Sequence, residues 1–92
     1  MIVRISGEDQ YHLAENLTAR LNELDNAVVA ACVGGDESGY AETFAALLDF
    51  VRSNGTRAAD DELAGSDLIL PPPDLSFAEA GAEFTGEGLI PD

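Results

Sequence analysis

The sequence contains no lysine and no tryptophan, and it has only four arginines to set against 18 Asp and Glu residues. The formal net charge of the 92 residues is therefore −14. A surface that binds nucleic acid needs a cluster of Lys and Arg to displace counterions from the phosphates, and this chain cannot supply one. The same shortage argues against docking on anionic lipid. We expect no nucleic-acid partner and no direct membrane insertion.

Cysteine and histidine are almost absent as well, with Cys32 and His12 as the single examples. One cysteine cannot form an internal disulfide, which favours a reducing compartment. The usual Cys/His zinc sites need three or four such ligands and are excluded. A Cys32–His12 nucleophilic pair is formally possible, but we favour a structural role for Cys32 as a small apolar side chain. No glycine-rich phosphate-binding motif is present, so the sequence predicts no cofactor and no catalytic residue.

Long apolar runs are lacking too. The longest, Ala27 to Val33, is far shorter than the roughly 20 residues that a membrane-spanning helix needs. The first residues lack the basic region and apolar stretch of a signal peptide. We expect a cytoplasmic protein that reaches a membrane, if at all, through a partner.

The acidity itself predicts a salt-rich environment. In molar salt the Debye length falls to about 3 Å, which screens the repulsion among exposed carboxylates and makes so large a net charge tolerable. The alternative is an ordinary acidic protein that its net charge keeps soluble. We favour a halophilic protein.

The N-terminal residues predict a β-hairpin. Met1 to Ile5 is short and rich in β-branched residues, and residues 6–9 read as a turn. Residues 10–13 would return as the second strand.

Two amphipathic helices follow in the predicted order. Apolar residues at spacings of three and four form one stripe, made of Leu13, Leu17, Leu21, Leu24, Val28 and Ala31, and a second one, made of Tyr40, Phe44, Leu47, Leu48 and Val51. Gly34 and Gly35 end the first helix, Asp36 caps the second, and Gly55 would end it in a left-handed conformation. So short a linker predicts an antiparallel αα-hairpin. Ala27 to Val33 could alone be a buried strand, but its continuity with the stripe favours helix.

The last third predicts a loop at residues 56–62, a short strand Leu68–Leu70 and three prolines that end it. Residues 74–76 lead into a short helix, for which Ser76 and Glu79 form a capping box. Its apolar side would consist of Phe77, Ala80, Gly81 and Phe84. Two or three strands with these helices make an α+β fold in one domain, residues 1–92.

An acidic loop offers an alternative function. Asp60, Asp61, Glu62 and Asp67, with Glu87 as a distant fifth, could gather Mg²⁺ or Ca²⁺, which prefer oxygen ligands. A small metal-dependent enzyme would follow from such a site. The spacing matches no EF-hand, however, and acidic runs arise on any solvated loop of so acidic a chain. We therefore assign no metal ligand.

Two surfaces are candidates for partner binding. A flank of the hairpin, Val29, Val33 and Phe50, is left over if most of the apolar stripes are buried within the chain. Pro71, Pro72, Pro73 and Asp74 form either a preformed extended segment for a partner's groove or a stiff connector between strand and helix. A dimerising structural domain without a ligand is a further alternative.

The order of several motifs resembles one family over almost the full length. These are the opening MIVRI-x-G-E-x-Q-Y, L-N-E-L-D-N at 21–26, F-A-A-L-L-D-F-V-R at 44–52, D-D-E-L at 60–63, S-D-L-I-L-P-P-P-D at 66–74 and E-G-L-I-P at 87–91. Together they are similar to the PspAA domain of PspA-associated proteins. The chain departs from the pattern in the last helix, where residues 78–82 are small and weakly helical.

The resemblance implies association with phage shock protein A, a coiled-coil protein of the membrane stress response that coats and repairs stressed membranes. It implies no catalytic residues. Residues and resemblance thus agree on a non-enzymatic interaction module with a PspA-like coiled-coil partner and a possible homodimer.

Overall fold

The computed structural model describes residues 1–58 and 65–83, so Phe84 and the acidic residues at 60–62 lie outside the described part. That part is an α+β fold of four short strands and three α-helices, as the sequence predicted, although with one strand more. The elements are β1 (Ile2–Ile5), β2 (Gln10–His12), a 3-10 turn (Glu15–Leu17), α1 (Thr18–Val33), α2 (Glu37–Asn54), β3 (Thr56–Arg57), β4 (Leu68–Leu70) and α3 (Phe77–Glu83).

The strands form one mixed sheet in the order β3-β2-β1-β4. β1 and β2 make the predicted antiparallel hairpin, with Val3 opposite Tyr11. β4 pairs with β1 in parallel, with Val3 opposite Leu68. Side chains alternate between the two faces of a strand, and Val3, Ile5, Leu68 and Leu70 are buried while Arg4 and Ile69 are exposed. One face of the sheet therefore packs into the core.

β3 lies where the sequence predicted a loop. It has only two residues, both exposed, and therefore no apolar pattern. Its conformation depends on pairing with β2, in which Thr56 lies opposite His12. The N–H of Ala58 extends the pairing by donating to the carbonyl of Gln10 at 2.8 Å.

The first apolar stripe is largely buried, with Leu17 and Leu24 half-buried, but its helix begins later than predicted. Leu13 continues the sheet, because its N–H donates to the carbonyl of Met1 at 2.8 Å, and Leu17 belongs to the 3-10 turn. Residues 27–33 are helical, which confirms the preferred interpretation. α1 ends at Gly34 and Gly35. Gly35 has a φ of +68°, and the N–H of Asp36 donates back to the carbonyl of Ala31 at 2.9 Å, which is a Schellman motif.

α2 begins at the predicted cap. Oδ1 of Asp36 accepts a hydrogen bond from the N–H of Gly39 at 3.0 Å. All five residues of the second apolar stripe are buried, namely Tyr40, Phe44, Leu47, Leu48 and Val51. They pack with the first stripe and the sheet in one core, and α1 and α2 form a helical hairpin.

The end of α2 differs from the prediction. Gly55 has a φ of −84° and a ψ of 156°, which is extended backbone, so the predicted left-handed end is wrong. Glycine is needed there for a different reason. A Cβ at this position would lie 2.6 Å from the carbonyl oxygen of Val51 and 2.9 Å from Cβ of Tyr11. The close approach of α2 to β2 excludes a side chain.

α3 has the predicted capping box. Oγ of Ser76 accepts from the N–H of Glu79 at 3.2 Å, and Oε1 of Glu79 accepts from the N–H of Ser76 at 3.4 Å. Ala80 is fully buried and Phe77 packs against the core, whereas Gly81 is exposed. The short helix is thereby attached to the αα-hairpin.

Gly55→Ala is expected to lower the free energy of unfolding by about 1–3 kcal/mol, because the added methyl must displace backbone atoms. Urea denaturation measures this change. Gly81→Ala is the matched control, since nothing lies within 4 Å of its added Cβ. That variant should be neutral or up to about 1 kcal/mol more stable, because alanine is the better helix former. Equal stabilities of the two variants would contradict the close approach at Gly55.

Candidate partner-binding surface

The proline segment, Pro71 to Asp74, follows β4 and runs beside α2. Pro71 is buried and Pro72 is half-buried, whereas Pro73 and Asp74 are exposed. A turn follows, in which the N–H of Leu75 donates to the carbonyl of Pro72 at 3.0 Å. Proline fixes φ, so the segment is stiff. It therefore forms a fixed ridge on the surface.

Tyr40 attaches this ridge to α2. Its hydroxyl donates to the carbonyl of Leu75 at 2.7 Å. Its ring stacks on Phe44 with centroids 5.4 Å apart and meets Phe77 at 5.7 Å with tilted planes. Burial raises the pKa of the Tyr40 phenol, and electrostatic interactions with Cys32 and Glu79 add to the shift. Tyr40 therefore stays a neutral hydrogen-bond donor at physiological pH.

The α2 groove lies between α2 and the ridge and has a volume of about 270 Å³. It is lined by Tyr40, Ala41, Phe44, Ala45, Leu48, Asp49, Arg52, Pro73 and Leu75. Pockets for drug-sized ligands usually have volumes of about 300–1,000 Å³. The groove is thus below that range but large enough for apolar side chains of a protein partner.

The β4 groove lies on the other side of the ridge and has a volume of about 180 Å³. It is lined by Ser6, Ile69, Leu70, Pro71, Pro72 and Leu75. Ile69 is 59% exposed, a high value for a large apolar residue. Leu75 lines both grooves. The proline segment and Leu75 therefore stand between two neighbouring depressions.

Arg52 closes one end of the α2 groove. Its Nη2 and Nε lie 2.6 and 3.2 Å from the two carboxylate oxygens of Glu8, and its Nη1 lies 3.4 Å from Oδ1 of Asp49. The hydrogen bond to Glu8 raises the pKa of Arg52, with smaller contributions from nearby acidic charge. The guanidinium is thus occupied by carboxylates of its own chain.

The predicted hairpin flank is not one surface. Val29 is only 8% exposed and belongs to the core, so it is not part of a partner surface. Val33 is 75% exposed and Phe50 is half-buried. In an antiparallel hairpin Val33 lies beside the start of α2, and Phe50 is 13 residues beyond Glu37, a distance of about 20 Å at 1.5 Å per residue. The spacing of apolar residues in the sequence did not indicate that Val33 and Phe50 lie so far apart.

The predicted proline segment, by contrast, lies at both grooves, with Pro71 and Pro72 lining one and Pro73 the other. Sequence reasoning missed the helical wall, above all Ala41 and Ala45. Their spacing of four residues beside the buried stripe placed them on one face of α2. Nothing in the sequence indicated that the prolines lie opposite them.

Of the five carboxylates proposed for a metal site, the structure describes Asp67, and the other four lie outside the described residues. Oδ2 of Asp67 accepts a hydrogen bond from the N–H of Ile2 at 2.8 Å and thus serves the sheet. Residues 1–58 and 65–83 contain no group of three or more potential metal ligands. Cys32 lies in α1 and packs against the core, whereas His12 is exposed. Its neighbour in β2, Tyr11, packs against the core, so His12 lies on the opposite face of that strand. Burial also raises the pKa of the Cys32 thiol, which disfavours the reactive thiolate.

In the described part of the chain, no helix is both long enough and apolar enough to cross a membrane.

The family model PspAA, described as PspA-Associated protein, matches residues 1–92, the whole chain. The chain belongs to the PspAA family. No curated protein and no solved structure matches it. The description of the PspAA family names an association and no reaction. Of the motifs that resemble PspAA, the one at residues 66–74 contributes five residues to the two grooves on either side of the ridge.

Tyr40→Phe tests the attachment of the ridge in this PspAA protein. It should cost about 1 kcal/mol at neutral pH, because the carbonyl of Leu75 loses its donor. The raised pKa of Tyr40 favours the neutral phenol in the folded state. This contribution is complete below about pH 10, where an unfolded tyrosine titrates, and it is lost as the pH rises through the folded pKa. Urea denaturation between pH 7 and 11 should therefore show a steeper loss in the wild type. Parallel pH profiles would contradict this assignment.

Proposed function

We propose that this PspAA protein is a non-enzymatic adaptor or regulator that binds a PspA-like coiled-coil protein in the membrane stress response. The observation that carries the proposal is the family match over residues 1–92, whose description names association with PspA. The protein would be cytoplasmic and would reach the membrane through that partner.

The two grooves support a role in protein binding. Both are small and open to the surface, and they flank a stiff ridge with exposed Pro73 and Asp74. Exposed apolar surface next to polar groups is typical of protein interaction sites. A preformed surface also lowers the entropic cost of binding.

The distribution of charge supports a basic partner. Three arginines pair with carboxylates of this chain: Arg20 with Glu23 at 2.9 Å, Arg52 with Glu8 at 2.6 Å and Arg57 with Asp9 at 3.1 Å. With four arginines and 18 acidic residues, the chain has a formal net charge of −14. Cations of the solvent or Lys and Arg of a partner must compensate this charge. Charge complementarity of this kind accelerates association and selects partners.

Purified protein should bind the PspA-like protein from the same cell, saturably and at native salt. Calorimetry or a pull-down measures this binding, with bovine serum albumin as the acidic control protein. The chain alone should not sediment with anionic lipid vesicles, but it should do so when the PspA-like protein is added. The absence of retention by that protein would count against the proposed function.

We also propose that the protein is adapted to high salt. Among the carboxylates whose side chains the structure describes, Asp25 is the one that is buried, so the negative charge is largely at the surface. Screening of that charge should raise the melting temperature from 0.1 to 3 M KCl. The variant Glu23→Gln/Glu42→Gln should show a smaller rise, because it carries two negative charges fewer. A melting temperature that stays flat or falls would contradict the halophilic interpretation.

A further inference from the structure

We propose that the α2 groove is the docking site for a basic amphipathic helix of the PspA-like partner. An apolar side chain of that helix enters the groove, and its Lys or Arg side chains meet Asp49 and Asp74. This inference rests on the proposed function and adds to it the surface used and the chemistry of the partner segment.

The shape of the groove suits a helix. Ala41 and Ala45 are exposed, lie one turn apart on α2 and line the groove. Their small side chains let another main chain approach closely, while Phe44 and Leu48 provide an apolar floor from the same helix. The volume of about 270 Å³ accommodates a large apolar side chain, the kind of anchor that dominates protein interfaces. From Ala41 to Arg52 the groove wall is about 16 Å long, or three helical turns.

The charge at the groove's rim specifies a basic helix. The side chain of Asp49 is 72% exposed, and Asp74 is exposed between Pro73 and Leu75, which both line the groove. Arg52, the one cationic lining residue, already makes two hydrogen bonds to Glu8 and a longer one, at 3.4 Å, to one oxygen of Asp49, whose side chain is still mostly exposed. A partner therefore meets carboxylates that are accessible and a guanidinium that is occupied. Lys or Arg flanking an apolar anchor complements this pattern.

Strand addition at the sheet edge is the competing mode of recognition. β4 lies at the edge of the sheet that residues 1–58 and 65–83 form, and Ile69 is exposed there. The strand has only three residues, however, and Pro71 follows it directly. Proline has no N–H to donate, so a partner strand would find a very short ladder. The observations favour the helical wall over the sheet edge.

The groove is also held in place before a partner arrives. The hydroxyl of Tyr40 fixes Leu75 on one wall, and Glu8 fixes Arg52 at one end. Binding thus requires little ordering of this chain, and most of the energy of the inserted anchor goes into affinity.

The test uses the full chain and the purified full-length PspA-like protein from the same cell. Ala45→Phe fills the groove from an exposed position and should weaken binding at least about tenfold. Ala30→Phe is the matched control, because Ala30 is an exposed helical alanine that lines neither groove. It should bind within about twofold of the wild type. Circular dichroism and melting temperature verify that both variants fold.

A second pair of variants tests the rim. Asp49→Asn/Asp74→Asn should weaken binding and flatten its dependence on salt, because charged contacts are lost. Glu23→Gln/Glu37→Gln makes the same change of charge at exposed positions that do not line the groove. This control variant should preserve most of the affinity and most of its dependence on salt. Equal effects of the two double variants would overturn the assignment of the rim.

Hydrogen exchange on the wild-type complex needs no variant. The expected result is added protection at Tyr40–Arg52 and at Leu75. Protection confined to Leu68–Leu70 would mean strand addition and would overturn the helical docking site. Wild-type binding that Ala45→Phe leaves unchanged would overturn it as well, while the adaptor function stands. A wild type that does not bind the PspA-like protein would overturn the adaptor function and this inference together.

Discussion

The parallel pairing of β4 with β1 fixes the place from which the proline segment leaves the sheet, and the candidate site depends on it. The N–H of Asp67 donates to the carbonyl of Ile2, and the N–H of Ser6 donates to the carbonyl of Leu70, at 2.8 and 2.9 Å. The side chain of Asp67 adds a third bond, to the N–H of Ile2. These contacts join the N-terminal strand to the segment at residues 67–70. They direct the proline segment along α2, where Pro71 is buried and Pro73 is exposed.

The pairing also explains why a small core suffices for a surface with two grooves. Leu68 and Leu70 enter the same core as the two helical stripes, and Ala80 closes it from α3. Once the strand and the short helix are anchored, the residues between them need few apolar contacts of their own. Leu75 and Tyr40 supply the contact in the middle. The ridge is therefore rigid at both ends and exposed at Pro73.

Local features of the fold could be predicted from the sequence because each has a local cause. The stripe on α2, the cap at Asp36 and the capping box at Ser76 all depend on residues within one or two helical turns. Long-range features could not be predicted. β3 exists only through its pairing with β2, and glycine is required at position 55 because Tyr11 is close.

The candidate site was predictable only in part, for the same reason. The proline segment stands out in the sequence, but its opposite wall at Ala41 and Ala45 is about 30 residues away along the chain. For Val29 the sequence suggested a surface position that the structure does not have. Its position beside the stripe suggested a free flank, while packing of α1 in the core buries it. Periodicity assigns a residue to a helix face, but it does not reveal how wide a face the neighbouring elements cover.

The prolines after β4 have a consequence for colloidal stability. An edge strand with an exposed isoleucine is a template on which further copies of a chain can aggregate. Acidic proteins are commonly kept apart by mutual repulsion, which fails when salt screens the charge. Pro71 and Pro72 interrupt the backbone donors directly beyond β4. The prolines therefore limit the length of this edge by covalent structure, and that limit stays in place when salt screens the negative charge.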